Sequence, residues 1–396
     1  MPQQDYSAHK MTNIQVAYKN KLGEKLNANN IHLYWKGRVA LYTLLQAMGI
    51  KAGDEVILPA FTCVVVPNAI IYLGAKPVYV DIKPDTFNMD VTQVEQAITS
   101  NTKVILCQNT YGLSSDLGQL VDIAKKHQLY TIEDCTHGFG GTYAGQANGT
   151  LCDAAFYSTQ WNKPFSTGIG GFSLINNESL LDSVNDLHKQ LTQASPKEQF
   201  SLRIQYLLKR YLINDFTYWQ ALNLYRFLSK HNIVTGSSSG EELSGIEMPT
   251  GFMKAFSDVQ AKEGIKNIAQ LDNAIATRKH NAQQYTDFLA KKNKNHVSKN
   301  LFENHSFLKY PLLVEDREQF FAKAAEHHIM LGDWFTSPIH PIETNWQNWH
   351  FDPKQYPVAN MAAKKVVNLP TELNPQASER VFNFINRQLD LISSDE

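Results

Sequence analysis

Residues 102–135 read TKVILCQNTYGLSSDLGQLVDIAKKHQLYTIEDC. TKVILCQ (102–108) and YTIEDC (130–135) are short apolar runs, and LGQLVDIAKKHQ between them is patterned as a helix. A strand, a helix and a second strand predict a parallel pair joined by a crossover, with the sheet buried on both faces. The same alternation extends outward. DEVILPA (54–60) and KPVYVDI (76–82) precede this unit, and AAFYS (154–158) and GFSLIN (171–176) follow it. The helical stretches VALYTLLQAMGI (after Gly37), VVVPNAIIYLG and TQVEQAITS fill the gaps. From about residue 31 to 175 the chain therefore reads as α/β, a mainly parallel sheet flanked by helices.

Residues 196–234 change character. SPKEQF onward is helical almost throughout, and Ile204, Leu207, Leu208, Tyr211 and Leu212 recur at i, i+3, i+4, i+7 and i+8. A helical hairpin packed on the body or on a partner subunit accounts for this pattern; a basic amphipathic helix on a membrane surface is the other reading. The polar loop TGSSSGEE (235–242) ends it. One long helix is expected over 256–292, then FLKYPLLV (307–314) as a strand, REQFFAKAAEHHI (317–329) as a helix and ASERVFNFINRQLDLI (377–392) as the last helix. This predicts a large domain over 1–255 with a helical insertion at 196–234. A smaller α+β domain over 256–396 includes the long connecting helix.

Composition narrows the function. The formal net charge of −1 gives no electrostatic case for nucleic acid or an anionic membrane. No run of eighteen apolar residues predicts membrane insertion, and the first twenty residues lack the apolar core of a signal peptide. Cys63, Cys107, Cys135 and Cys152 form no CxxC spacing, so neither a metal site nor a disulfide framework is indicated, and a reducing cytoplasm is the expected compartment.

Four stretches carry chemistry. In KGRVAL (36–41), Gly37 lets a helix N-terminus approach an anion, and Arg38 adds a charged fork for phosphate oxygens; a plain helix cap reads equally well. In IEDCTH (132–137), Asp134 ends an apolar strand, where ligands bind in open α/β sheets. A carboxylate buried there needs a cationic or hydrogen-bonding partner, either a protonated heterocycle or a backbone turn that it caps. In STQWNKPFSTGIGG (158–171), Ser158 ends a strand and Lys163 follows five residues later. A lysine in a desolvated pocket becomes nucleophilic towards carbonyls, whereas most lone lysines are solvated surface charges. FTC (61–63) ends the first strand of the series, where a loop can cover one face of a flat cofactor.

A phosphate cradle, a buried aspartate after a strand, then serine and lysine, is the order of a pyridoxal 5′-phosphate site. The chain resembles the DegT–StrS sugar aminotransferase family of fold type I pyridoxal phosphate enzymes. GRVALYTLLQAMGIKAGDEVILPAFT, GAKPVYVDIKPDTFNMD, YTIEDCTHGFGGTYAGQ, DAAFYSTQWNK and VVNLP carry the resemblance. It implies an aspartate-aminotransferase-like fold and a homodimer with shared sites. It also implies that Lys163 holds the cofactor covalently and moves protons. Asp134 pairs with the pyridine nitrogen, and Gly37, Arg38 and Ser158 hold the phosphate. Thr136 lies against the ring. His137 stands where the family has a glutamine near the ring's 3′ oxygen, so its charge state is expected to enter the pH profile.

The sequence also departs from the family. Cys63 occupies the position of a ring-stacking aromatic, so either the stacking is lost or a neighbour such as Phe61 covers the ring. In GFMKAFSDVQAK (251–262), Met253 stands where a partner-subunit asparagine reaches the phosphate, and either Lys254 substitutes for it or the contact is absent. Trp334 and His340 in GDWFTSPIHP (332–341) are candidate substrate contacts, the alternative being small-domain core. The implied reaction moves an amino group from L-glutamate to a keto sugar. The expected acceptor is a nucleotide-linked keto-deoxyhexose for a surface polysaccharide. The alternatives are the 8-oxo form of 3-deoxy-octulosonate, for lipopolysaccharide, and a non-catalytic cofactor-binding regulator.

Overall fold

The computed structural model describes residues 11–212, Thr217, Gln220 and 245–395. Thirteen strands occur among them: β1 (Ile31–Tyr34), β2 (Glu55–Pro59), β3 (Thr62–Cys63), β4 (Lys76–Val80), β5 (Thr102–Gln108), β6 (Tyr130–Asp134), β7 (Thr142–Tyr143), β8 (Gln146–Ala147), β9 (Ala154–Ser158), β10 (Gly171–Ile175), β11 (Tyr310–Leu313), β12 (Ile339–His340) and β13 (Val366–Leu369). Seven form the central sheet in the order β1-β10-β9-β6-β5-β2-β4. Only β10 runs against its neighbours; β9, β6, β5, β2 and β4 pair in parallel. The fold is α/β, mainly parallel, as the β-branched runs imply. All five residues of β2 are buried, and so are all but Lys103 of β5, because helices cover both faces.

The covering helices follow the strands: α1 (Asn13–Leu26), α2 (Gly37–Ala47), α3 (Val65–Ile71), α4 (Val91–Ala97), α5 (Leu117–His127), α6 (Leu181–Lys189) and α7 (Pro196–Leu212). Local signals set their ends. Thr12 and Gln15 form a reciprocal capping box at the start of α1. Lys125, Lys126 and His127 lie in the last turn of α5, where the dipole favours cations, and Gln128 adopts a left-handed conformation to stop it.

The single helix expected over 256–292 is two helices, α8 (Asp258–Ile268) and α9 (Leu271–Ala290), with a break at Ala269–Gln270. The packing partners change along this stretch. Ala261 and Ile268 of α8 pack with Tyr18 and Leu22 of α1, whereas Ala282, Tyr285 and Leu289 of α9 pack with Tyr310, Leu312, Val367 and Val381. Leu271 and Ile275 at the start of α9 still pack in the first core, so α9 runs from one core into the other. β11 and β13 form the antiparallel pair of this second core, with α10 (Arg317–Glu326) and α12 (Pro375–Arg387), whereas Ala359, Ala362 and Ala363 of α11 (Pro357–Lys365) pack in the core of the large sheet.

Within the 196–234 insertion, the structure describes α7, Thr217 and Gln220; the remainder and the 235–242 loop lie outside the described residues. Four residues of the periodic stripe read from the sequence, Ile204, Leu207, Leu208 and Tyr211, face outward: Leu207 is 53% and Tyr211 69% exposed. Leu202 and Tyr206 instead turn inward and pack with Trp161, Ile169 and Trp35. The insertion thus braces the segment that carries Lys163. Among the described residues no helix is long and apolar enough to cross a membrane.

Candidate active site

The Lys163 loop leaves the sheet at Ser158 and re-enters at Gly171, which pairs with Ser158 across β9 and β10. Its neck is closed by the Thr167 N–H donating to Thr159 O at 2.7 Å, with the two threonine hydroxyls 2.6 Å apart. An irregular loop leaves carbonyls that need donors. Here they come from four side chains on three helices. Arg278 Nη2 donates to Pro164 O (2.8 Å), Asn267 Nδ2 to Ser166 O (2.7 Å), Tyr206 Oη to Thr167 O (2.5 Å) and Gln260 Nε2 to Ile169 O (2.7 Å). The loop is therefore fixed by α7, α8 and α9 together. Gly168 sits at φ 75°, and a Cβ there would meet Tyr206 Cε1 at 2.6 Å, so both the turn and the packing require glycine.

Asp134 ends β6, is 2% exposed and takes a 2.9 Å hydrogen bond on Oδ1 from the Thr136 N–H. No described lysine, arginine or histidine forms an ion pair with it. Burial raises its pKa, against the Thr136 hydrogen bonds and the attraction of Lys163. This is a buried carboxylate that a cation would stabilise.

Beside it, α2 begins at Gly37 with no side-chain cap from Lys36. A Cβ at Gly37 would lie 2.8 Å from Tyr157 O and 3.0 Å from Ser158 Cβ. Glycine thus lets the positive end of the helix abut the serine at the end of β9. Arg38 is buried in the same place and acts electrostatically on Lys163.

Lys163 is partly open to the cleft, with its Nζ 4.3 Å from the centre of the Trp334 ring. Burial of the ammonium lowers its pKa to about 8; Cys63 and Asp134 oppose the shift, while Lys309 and Arg38 add to it. An amine tuned this way is nucleophilic near neutrality. The Trp334 ring also stacks on His137, 4.6 Å between centres and 3° from parallel.

His137 Nδ1 accepts the Tyr111 N–H at 3.2 Å, which places its remaining proton on Nε2. Burial, then Lys163 and Lys309, push its pKa well below the ordinary histidine value. His137 is therefore a neutral donor, and the expectation that its charge shapes the pH profile is corrected.

Other expected positions sort clearly. Cys63 pairs with His340 in the parallel β3–β12 contact and is near enough to Lys163 to influence its charge. Phe61 does not cover that space: it is fully buried against Phe335, Phe87 and Tyr111. The aromatic ring over the Lys163 amine is Trp334. His340 accepts from the Thr336 N–H at 3.2 Å and lies beside Phe335. Lys254 is not brought to this cluster within the chain. Its Nζ pairs with Glu198 of α7 at 2.5 Å, because the insertion presents a carboxylate there.

Sequence reading missed two residues. Tyr111 orients His137 through its N–H and the 334 segment through its hydroxyl, which donates to Trp334 O at 2.7 Å. Lys309, with Nζ 5.3 Å from the Trp334 ring centre, is the other. The available signal was a charge set inside the apolar run FLKYPLL.

These side chains suit pyridoxal 5′-phosphate: Asp134 for a ring cation, the Gly37 helix end with Arg38 and Ser158 for the phosphate, and Lys163 for the aldehyde. When bound, that cofactor supplies an electron sink for the substrate carbon. Fold and site together define a pyridoxal-phosphate-binding α/β protein. The model of the DegT/DnrJ/EryC1/StrS aminotransferase family matches residues 17–386, and the chain belongs to that family.

GDP-perosamine synthase of Escherichia coli O157:H7 is 41% identical over 165 residues, which is 42% of this chain and 45% of that protein. The pleiotropic regulatory protein of Geobacillus stearothermophilus is 42% identical over 147 residues, 37% of this chain and 40% of that protein. The matched stretches thus span under half of these relatives. A DegT DnrJ EryC1 StrS aminotransferase from Brucella abortus superposes with a TM-score of 0.73 at 21% identity, covering 95% of this chain and 90% of that one. DesI, solved in the presence of its TDP-sugar product, gives a TM-score of 0.72 at 17% identity, covering 96% and 85%. At such identities the likeness concerns the fold.

Proposed function

We propose that the protein is a pyridoxal-phosphate-dependent aminotransferase that moves the amino group of L-glutamate to a keto sugar. The observation that carries this reading is the Lys163 amine, with its pKa lowered to about 8, beside the buried and unpaired Asp134. In this role Asp134 keeps the ring nitrogen charged. Neutral His137 donates through Nε2. Lys163 would carry a proton in each half-reaction, lifting one from the donor's α-carbon in the first and supplying one to the acceptor's carbon in the second. The four side chains on the loop carbonyls keep that amine in register.

The acceptor is proposed to be a nucleotide-linked keto-deoxyhexose. Support comes from the names of GDP-perosamine synthase and of DesI with its TDP-sugar product. The octulosonate acceptor is the alternative that acceptor competition assays decide. A homodimer in the cytoplasm belongs to the same reading, supported by the apolar stripe that α7 leaves exposed; light scattering tests the dimer.

The test is to mix purified, cofactor-loaded protein with L-glutamate. Loss of the visible cofactor band with release of 2-oxoglutarate is expected. A stable yellow protein indifferent to amino donors contradicts the enzyme. It would instead favour a binding role, in keeping with the name of the Geobacillus relative.

A further inference from the structure

The cleft next to Lys163 opens into a cavity of about 900 Å³, lined among others by Asn162, Lys309, Arg317, Asp333, Trp334 and Thr336. Lys364 also lines it but is exposed, and Glu318 and Glu343 are further lining groups; the two partly buried cations differ in their commitments. Arg317 is already used: it donates to Ala363 O (2.8 Å), Asp333 O (3.1 Å) and Phe335 O (3.3 Å), and so holds the segment that presents Trp334. Lys309 has no such ties among the described residues. No carboxylate lies within ion-pair distance, and its only close partner is the Trp334 ring, at 5.3 Å. Asp333 and Glu372 act on it from farther away, and Glu372 is bound to Arg278.

A partly buried ammonium facing a cavity and sharing its indole with a second lysine is a costly arrangement. Arg278, whose charge acts on it most strongly, is also a cation. Burial and Arg278 together lower the Lys309 pKa to about 8. An anion entering the cleft relieves this cost, and the indole offers a flat apolar surface for what that anion is attached to.

We infer that Lys309 is the anion-binding residue of the substrate cleft, receiving a carboxylate or phosphate of a substrate laid against Trp334. The identity of that substrate rests on the aminotransferase reading; the anion site itself does not. Two sources share this chemistry, the carboxylate of an amino donor and the phosphate of a nucleotide-linked acceptor.

The experiment uses the full-length, cofactor-loaded protein and two unreactive probes, glutarate and thymidine diphosphate. Binding is followed by tryptophan fluorescence and calorimetry in wild type, Lys309→Met and Lys309→Arg. The expected result is that Lys309→Met weakens at least one probe about 10- to 100-fold, while Lys309→Arg largely restores it. Loss confined to glutarate assigns the donor, and loss confined to thymidine diphosphate assigns the acceptor. An unchanged cofactor band in Lys309→Met shows that the fold is intact. Wild-type affinity for both probes in Lys309→Met, or no binding of either probe to wild type, overturns the inference. Lys309-dependent binding in a protein that never transaminates keeps the anion site and removes the aminotransferase.

Discussion

Two walls of one cleft are built differently. The wall of Gly37, Asp134, Ser158 and Lys163 grows from strand ends of the central sheet, and each member lies within or a few residues beyond a regular element. The facing wall of Tyr111, His137, Lys309, Trp334 and His340 is assembled from distant parts of the chain and joined by ring stacking and backbone hydrogen bonds. The first wall suits a cofactor common to a family; of the second, His137 is the member the resemblance also sets at the cofactor ring, while Lys309 and Trp334 line the neighbouring cavity.

The contrast predicts severe and general damage on the first wall. Lys163→Ala should lower turnover by about 10³-fold or more with any acceptor, measured as 2-oxoglutarate release; activity within tenfold of wild type would break the comparison. Asp134→Ala removes the partner of a buried cation, a loss on the order of 3–5 kcal/mol when such a pair is broken. Its cofactor should therefore wash out on dialysis under conditions where wild type stays yellow.

Backbone packing at the cradle should cost less. A Cβ at Gly171 would meet Gly37 Cα at 2.3 Å, so Gly171→Ala should destabilise by about 1–3 kcal/mol, seen as a lower thermal transition with weaker cofactor retention. Smallest is the brace from the insertion. Tyr206→Phe deletes the donor to Thr167 O and should cost about 1 kcal/mol. The visible consequence is faster amide exchange in the 160s loop and little change elsewhere.

The pH behaviour sharpens the comparison. Burial disfavours the ammonium of Lys163, so its neutral form prevails above about pH 8 instead of above 10.5. In the cofactor-free protein, its reaction with an amine-directed reagent should rise with pH through a midpoint near 8. Because Lys309 contributes to the depression, Lys309→Met should move that midpoint upward. His137 itself should add no step near pH 6.5, since burial keeps it neutral.

Most of the first wall was legible in the sequence for a physical reason. Buried parallel strands are continuous β-branched runs, so their carboxyl ends, where ligands bind, can be counted off directly. Asp134 and Ser158 are the last residues of β6 and β9. The break at Ala269–Gln270 was not legible, because helical periodicity runs through it and neither residue is a glycine or proline. The outward stripe of α7 leaves its sequence alternatives open for a related reason: periodicity identifies an apolar face without showing what that face meets. Lys309 and Tyr111 were missed because their roles exist only through Trp334 and His137, more than twenty residues away in each case.

The central claim is that the amine at position 163 is the one that captures the cofactor's aldehyde. Borohydride reduction of the loaded protein, followed by peptide mapping, tests it without any substrate. A pyridoxyl adduct on Lys163 in near-stoichiometric yield is the expected result. An adduct on Lys309 or on another lysine, or none at all, would contradict the account.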